Sequence, residues 1–403
     1  MKNILNKLRR DETGQAFIIV LILLVLGGLI IGPLLAYMNT GLIAGQAYEQ
    51  RMDELYAADA GVEDALWQIK NKTLATLFTD YDPDDYVTEY HYPDYLEVND
   101  KDVDVAIQNI NEITYRIEST ATSPDTGSST SIESYINILS FANFMDNAIT
   151  SMSDVGLQPN TTVNGDVQLN GSFKPDPPLG TINDPDGVSY EEIEGWPTAD
   201  DLHLYYWPDV ENLPPFPDAT IDLKDTTEIP TLYGVGDLTI TNTGEIGASA
   251  TLALDGTVYV TGNLEFKQTG NKDYEIHLNY ATIFALGEIN FPSDRCTLYG
   301  PGCIIAMGDI NFQPSMESVD MPPDPPPPAG DEDFIFVMSV DGFVDFSPRG
   351  NFYGSLAGNT EVNLQPGCTL TWNGPPPDLK YPGADPSEKN VISSILTWEI
   401  ILQ

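Results

Sequence analysis

From Thr13 to Tyr48 the chain carries no charged residue, and this stretch limits every fold the sequence can adopt. Its first part, Ala16 to Tyr37, reads AFIIVLILLVLGGLIIGPLLAY. As a helix it rises about 33 Å, enough to cross a bilayer core of about 30 Å. Lys2, Lys7, Arg9 and Arg10 precede it, opposed by Asp11 and Glu12, and the chain beyond it is strongly acidic. The positive-inside rule therefore predicts a single-pass membrane protein with residues 1 to about 12 in the cytoplasm and the bulk outside. A secretory signal peptide would have a shorter apolar region and a small-x-small cleavage site, and a buried core helix is unusual at this length. Gly27, Gly28, Gly32 and Pro33 interrupt the span, as membrane helices tolerate. Beyond it, Met52, Leu55, Asp59, Val62, Leu66 and Ile69 recur at spacings of three and four, with Asp59 breaking the apolar stripe. That period predicts an amphipathic helix running on to about Lys72 and packing on a domain.

Seventeen Lys+Arg stand against 61 Asp+Glu, a net charge of −44. Such a surface repels nucleic acid, which needs clustered cations, and anionic lipid headgroups beyond the anchor. It favours solubility, and high-salt adaptation accounts for it equally well. The 31 prolines and 33 glycines imply many turns and few long helices. Three cysteines, Cys296, Cys303 and Cys368, are too few for a disulfide-built fold. Outside the cytoplasm one bridge is open to them, Cys296–Cys303; the alternative is three small buried hydrophobes.

The basic leader ends at Gly14, and the apolar helix is followed by AYEQRMDELYAADAGVEDALWQI. This organisation resembles the N-terminal region of type IV pilins, and among them minor pilins of the PilX type. The run Tyr56-Ala57-Ala58-Asp59-Ala60-Gly61-Val62 matches the alanine-rich pattern ending in acid-Ala-Gly that those chains share. The resemblance covers about 70 residues. It implies processing between Gly14 and Gln15, export by a pilus assembly machine, assembly with other pilins through the helix, and a small α+β head. A typical pilin carries Glu five residues after the leader glycine; here that position is Ile19, and Gln15 replaces the usual Phe. The missing Glu implies a minor or tip component.

Asp80 to Tyr95 is acidic and rich in tyrosine. Asp80, Asp82 and Asp84 have the alternate spacing of a calcium loop, but Asp85 and His91 stand where that loop needs Gly and Glu, so a solvated loop fits better. Val103 to Ile107, Ile113 to Ala121 and Ser131 to Leu139 alternate apolar and polar residues, with a turn cluster, SPDTGSS, between the last two. From about Asp146 a unit Gly-x-apolar-x-apolar recurs, at Gly165, Gly236, Gly262, Gly287, Gly308 and Gly342. From Gly236 to Gly308 the steps are roughly 21–26 residues, a solenoid period. The last step also holds the insertion MPPDPPPPAG. Because the local pattern has period 2, the expected fold is α+β, mainly β: a long N-terminal helix, a pilin-like α+β unit, then a right-handed parallel β-helix. A β-sandwich with regular turns is the competing architecture. The expected boundaries are a leader at 1–14, the helix at 15–72, the head at 73–145, the solenoid at 146–375 with a Pro-rich insertion at 174–231, and a C-terminal segment at 376–403. In the solenoid, Ile240, Phe266, Phe291, Phe312 and Phe346 should form one inward column, with Thr239, Glu265, Asn290, Asn311 and Asp345 facing solvent.

The insertion holds Trp196, Tyr205, Tyr206, Trp207 and Phe216. These aromatics either contact a glycan or protein ligand or pin the loop to the core. His91, His203 and His277 lack metal-ligand spacing, and no nucleophile elbow, phosphate loop or zinc motif is present. No cofactor is expected. A polysaccharide hydrolase on a β-helix would need two carboxylates facing one sugar, and adjacent acids such as Asp200 and Asp201 arise by chance in so acidic a chain. A lyase on acidic polysaccharide would need a basic groove, and the cations Lys267, Lys272, Arg295 and Arg349 are scattered. The sequence thus favours a non-enzymatic surface protein, a minor pilin or pilus-linked adhesin. A membrane-anchored polysaccharide-active enzyme is the alternative.

Overall fold

The computed structural model describes residues 2–402 apart from 72, 83–84, 112, 184–187, 224–225, 243–249, 269–273, 292–295, 314, 317–332, 349, 377 and 383–390. One continuous helix, α1 (Lys2–Lys70), opens the chain and contains Pro33. Its Phe17–Lys70 portion is long and apolar enough to cross a membrane, with a mean hydropathy of 3.0 in a window that is nowhere buried by the rest of the protein. After this helix the chain is mostly β-strand.

The last five turns of α1 lie on an antiparallel meander. Its strands run in the order Glu89–His91, Lys101–Asn109, Thr114–Thr122, Ser129–Ile138 and Ile392–Leu402, with Leu96–Val98 also pairing Lys101–Asn109. The helix buries Glu54, Ala57, Ala58, Gly61, Val62, Ala65 and Ile69 against this sheet. The period is the expected one but the face is rotated: Met52, Leu55, Asp59 and Leu66 are only half-buried at its margins. Small residues occupy the centre because the backbones approach closely. A Cβ on Gly61 would stand 2.3 Å from Ser119 Oγ and 2.8 Å from Val103 Cγ1. The alanine-glycine run is thus a steric requirement of helix-on-sheet packing. Glu54, buried in the same face, accepts hydrogen bonds from Ser128 and from Thr130 Oγ1, the latter at 3.1 Å.

Ile138 and Ile392 are paired partners on neighbouring meander strands. The chain leaves the sheet after one and returns at the other, so everything between is an insertion into the meander. The segment 376–403, set apart in the sequence, supplies one of the meander's long strands.

The insertion is built of parallel strands stacked in three walls. In the first wall nine strands lie in the order Phe173–Lys174, Asp154–Leu157, Glu361–Leu364, Phe343–Phe346, Ile310–Phe312, Ile289–Asn290, Leu264–Gln268, Leu238–Asn242 and Thr220–Leu223. The second wall carries Thr226–Ile229, Ala250–Leu254, Tyr274–His277, Cys296–Tyr299 and Ser315–Met316. The third carries Leu232–Gly234, Val258–Val260, Thr282–Ala285, Gly302–Ala306 and Ile335–Ser339. Gly350–Gly358 bends from the second wall into the third. This order carries a seam. Glu361–Leu364, late in the chain, pairs with Asp154–Leu157, which is early in the insertion. Likewise Cys368–Thr371 pairs with Thr162–Asn164, and Leu356 to Gly358 pairs with Ile149 to Ser151. The chain therefore lays down one end of the stack first, crosses to the far end, and builds back to meet itself.

The first wall holds the inward column. Register pairs Ile240 with Phe266 and Phe312 with Phe346. The Phe266 and Phe291 rings stack at 4.4 Å and 8°, Phe291 meets Phe312 edge-on at 5.2 Å, and Phe312 stacks on Phe346 at 5.3 Å. All four are buried. The outward column joins Thr239, Glu265 and Asn290, then Asn311 and Asp345, with Asn311 Nδ2 donating to Asn290 Oδ1 at 2.6 Å. At the corner before this wall, the residues after Gly236, Gly262 and Gly308 each cap the next tier. Asp237 Oδ1 accepts from Asn263 N at 2.8 Å, Asn263 Oδ1 from Glu288 N at 2.8 Å, and Asp309 Oδ1 from Phe343 N at 3.1 Å. A Cβ on Gly287 would stand 2.2 Å from Asn263 Oδ1, so the recurring glycine makes room for the previous tier's cap.

The stretch 174–231, read from sequence as outside the repeat, is only partly so. Thr181–Asn183 and Val188–Ser189 add to one end of the stack, while Thr220–Leu223 and Thr226–Ile229 form the far end. The crossing itself occupies about 190–219 and contains helix α2 (Ala199–Val210). Bridging eight strand spacings needs about 38 Å. The helix rises about 18 Å, and the extended flanks supply the rest.

Candidate functional site

The crossing segment covers the outer face of the third wall. Thr198 caps α2: its Oγ1 accepts from Asp201 N at 3.3 Å, and Asp201 Oδ2 accepts from Thr198 N at 2.8 Å. Asp201 is thus a capping residue of α2. Leu202, Tyr206 and Val210 of α2 are buried in a second apolar layer with Tyr259, Phe284, Cys303 and Phe336.

Four of the five aromatics singled out in the sequence belong to this layer. Tyr206 is buried and stacks on Phe284 at 5.2 Å; Trp196, Tyr205 and Trp207 are half-buried. Trp196 Nε1 donates to Val340 O at 2.8 Å, and Trp207 meets Tyr233 edge-on at 5.3 Å. Phe216 lies apart, packed on the interior of the stack at its far end, where its N–H bonds Tyr233 O at 2.7 Å. Pro214, Pro215 and Pro217 flank it and offer no donors to a further strand, which blunts the open edge.

Two pockets lie where the meander meets the stack. One of about 430 Å³ is lined by Asn111, Asp146, Asn147, Glu192 and Glu194 among others. Desolvation raises the Asp146 pKa, yet Asp146, Glu192 and Glu194 all remain exposed. A general acid held by burial would be enclosed. The second pocket, about 640 Å³, is lined by Lys70 at the end of α1, Tyr205, Tyr206 and Asp209 of α2, Tyr280 and Thr282 of the stack, and Lys380.

The remaining sequence candidates are dispersed. Gly14 and Gln15 lie within α1, ahead of the span, and Ile19 is exposed within it. Cys296, Cys303 and Cys368 are buried and form no disulfide, so the Cys296–Cys303 bridge is absent. Cys296 points into the stack and Cys303 into the outer layer, on different walls. Desolvation pushes the Cys303 and Cys368 thiols up to about 12. His91 faces Asp104 at 3.4 Å, His203 Nδ1 lies 2.7 Å from Tyr259 Oη, and His277 stacks on Tyr299. Asp85 accepts from the backbone N–H groups of Val87 and Thr88 in a local turn. Asp84, Lys272, Arg295 and Arg349 lie outside the described residues; Lys267 pairs with Glu265 at 2.7 Å. Among the described residues no group of three or more His, Cys, Asp or Glu could hold a metal.

No family model and no curated protein matches the chain. Among solved structures it is similar to the competence-associated pilin ComZ from Thermus thermophilus, at 12% identity and a TM-score of 0.29, covering 87% of this chain and 97% of that one. It is also similar to an ice binding protein from an Antarctic biological consortium, at 12% identity and a TM-score of 0.24, covering 59% of this chain and 91% of that one.

Proposed function

We propose that this chain is a minor pilin or pilus assembly component. It is anchored in the cell membrane by α1 with its N-terminus in the cytoplasm, and it displays the parallel stack outside as a right-handed β-helix. One observation carries this reading: a single helix whose Phe17 to Ile43 stretch is apolar and exposed and whose last five turns are buried on an antiparallel sheet. Such a helix serves two environments, lipid or neighbouring helices below and its own head above. The Ala57-Ala58-Gly61 face explains why the residues that resemble PilX-type pilins are small. The right hand follows from the general preference of parallel crossovers. Non-enzymatic display is favoured because the acids near the Asp146 pocket are exposed and scattered. The enzyme alternative rests on that pocket alone. The partners are other pilins or the assembly machinery, with surface glycans or proteins as ligands.

Mass spectrometry of the mature protein, with protease added to intact cells, tests the reading. The expected N-terminus is Gln15, and the protease should digest residues beyond about 40. An intact Met1 together with a fully protected large domain, in cells whose envelope admits the protease, would overturn it.

A further inference from the structure

The last strand of the meander leaves one long edge open. Ile392–Leu402 pairs with Ser129–Ile138 on one side and, among the described residues, with no strand on the other. Two register irregularities interrupt it, between Ile392 and Ser394 and between Ile395 and Thr397; from Thr397 to Leu402 the antiparallel register is unbroken. Those six residues extend about 20 Å, and alternate ones point their N–H and C=O groups away from the paired strand. Elsewhere the sheet edges are blunted. The opposite edge of the meander consists of the three-residue strands Glu89–His91 and Leu96–Val98, with Pro93 and Asp94 between them. The first wall ends on the two-residue strand Phe173–Lys174, followed by Pro175, Pro177 and Pro178, and its far end carries the prolines around Phe216. Short strands, prolines and charges are the means by which proteins prevent strand addition. The last strand reads ISSILTWEIIL, with one glutamate and no proline.

The same edge is unfinished on both faces. Directly opposed residues of neighbouring strands share a face. Ile132, 1% exposed in the core under α1, is paired with Ile400, which is 51% exposed. On the other face Glu399 stands opposite Glu133, which stands opposite Glu118. Arg116 binds Glu89, Glu118 and Glu133, whereas Glu399 is exposed and has no ion pair among the described residues. Like charges directly opposite destabilise a sheet, so a cation on the outer side of Glu399 would offset the repulsion. A second copy pairing through this edge does not supply one. A two-fold pairing centred in the middle of the run sets the two Glu399 carboxylates opposite each other or on the nearest diagonal, and it joins two chains of charge −44. We propose that the edge from Thr397 to Leu402 accepts an added β-strand from a different protein. The added segment is extended, apolar on the face that continues the core beside Ile400, and carries Lys or Arg on the other face beside Glu399. The open backbone groups supply affinity, and the alternating side chains set register. The inference goes beyond the pilin reading, since it depends on the meander edge alone, however α1 is processed.

The test uses the full chain in a zwitterionic detergent. The probe is a nonapeptide of alternating Thr and Val with a central Lys, so that Lys and Thr share one face and Val the other. Two comparison peptides carry Glu at the centre, or N-methyl groups on the central amides. Binding is followed by titration and by hydrogen exchange at the amides of Thr397 to Leu402. The Lys peptide should bind saturably, slow exchange at these amides, and bind about fivefold more tightly than the Glu peptide at low salt. Glu399→Gln should erase that preference and Glu399→Lys should reverse it. The N-methylated peptide should not bind. The proposal is overturned if neither unmethylated peptide protects these amides, if N-methylation has no effect, or if the Lys preference survives both substitutions. It is equally overturned if the free chain sediments as a dimer whose Thr397 to Leu402 amides are already protected, which would make a second copy the occupant. None of these results alters the N-terminus or topology on which the pilin reading is judged.

Discussion

Replacing Phe291 by Ala probes the centre of the stack. Phe291 is 1% exposed and touches a ring on each side, Phe266 at 4.4 Å and Phe312 at 5.2 Å. Deleting a buried Phe costs about 3–5 kcal/mol. The parallel walls above and below are tied by backbone hydrogen bonds and cannot collapse into the hole, and each lost ring pair adds about 0.5–1.5 kcal/mol beyond burial. The upper part of the range, about 4–5 kcal/mol, is therefore expected. With a slope of about 5 kcal/mol/M in guanidinium, the midpoint should fall by about 1 M. Asn290→Ala, one position away but facing solvent and bonded to Asn311, should cost only about 0.5–1.5 kcal/mol. A Phe266→Ala, Phe291→Ala cycle should reveal a coupling of about 1 kcal/mol. A cost at Phe291 below about 1 kcal/mol, or strict additivity with Phe266, would refute the column as a source of stability.

Gly61→Val should prevent α1 from seating on the meander, since even a Cβ would reach 2.3 Å from Ser119 Oγ; a lowered melting temperature of the head checks this, and an unchanged one contradicts it. Cys303 and Cys368, buried with raised thiol pKa, should resist alkylation at pH 8 in the folded protein and react on unfolding, by mass spectrometry. Arg116 bridges Glu89, Glu118 and Glu133, and its hydrogen bond holds the Glu133 carboxyl below its ordinary value. A depressed carboxylate contributes stability above its unfolded pKa of about 4.3 and loses it as pH falls through the folded value. Arg116→Ala should therefore flatten the acid limb of a stability–pH curve by about 0.5–1 kcal/mol, the partial exposure keeping the effect small.

Some of this was legible in the chain itself. The span Ala16 to Tyr37 needs no partner to be read, because solvent transfer acts on each residue where it stands. The phenylalanine column was legible for a similar reason. A strand alternates faces residue by residue, so Leu264, Glu265 and Phe266 declare in and out locally, and parallel stacking aligns equals with equals. The helix face was read one step off. Hydrophobic spacing selects the largest residues, Leu55 and Leu66, whereas close packing selected the smallest, Ala58 and Gly61, and only the sheet opposite reveals that preference.

Tertiary structure alone decided the rest. That Ile392 pairs with Ile138 and Glu361 with Asp154 is invisible in a linear pattern, since strand-edge hydrogen bonds are the same wherever the partner lies in sequence. The crossing helix was missed because its residues are apolar on a face that only the finished third wall makes useful. The junction pocket has no sequence signature at all. Lys70, Tyr206, Tyr280 and Lys380 come from four distant segments, and what unites them is the closure of the stack on the meander.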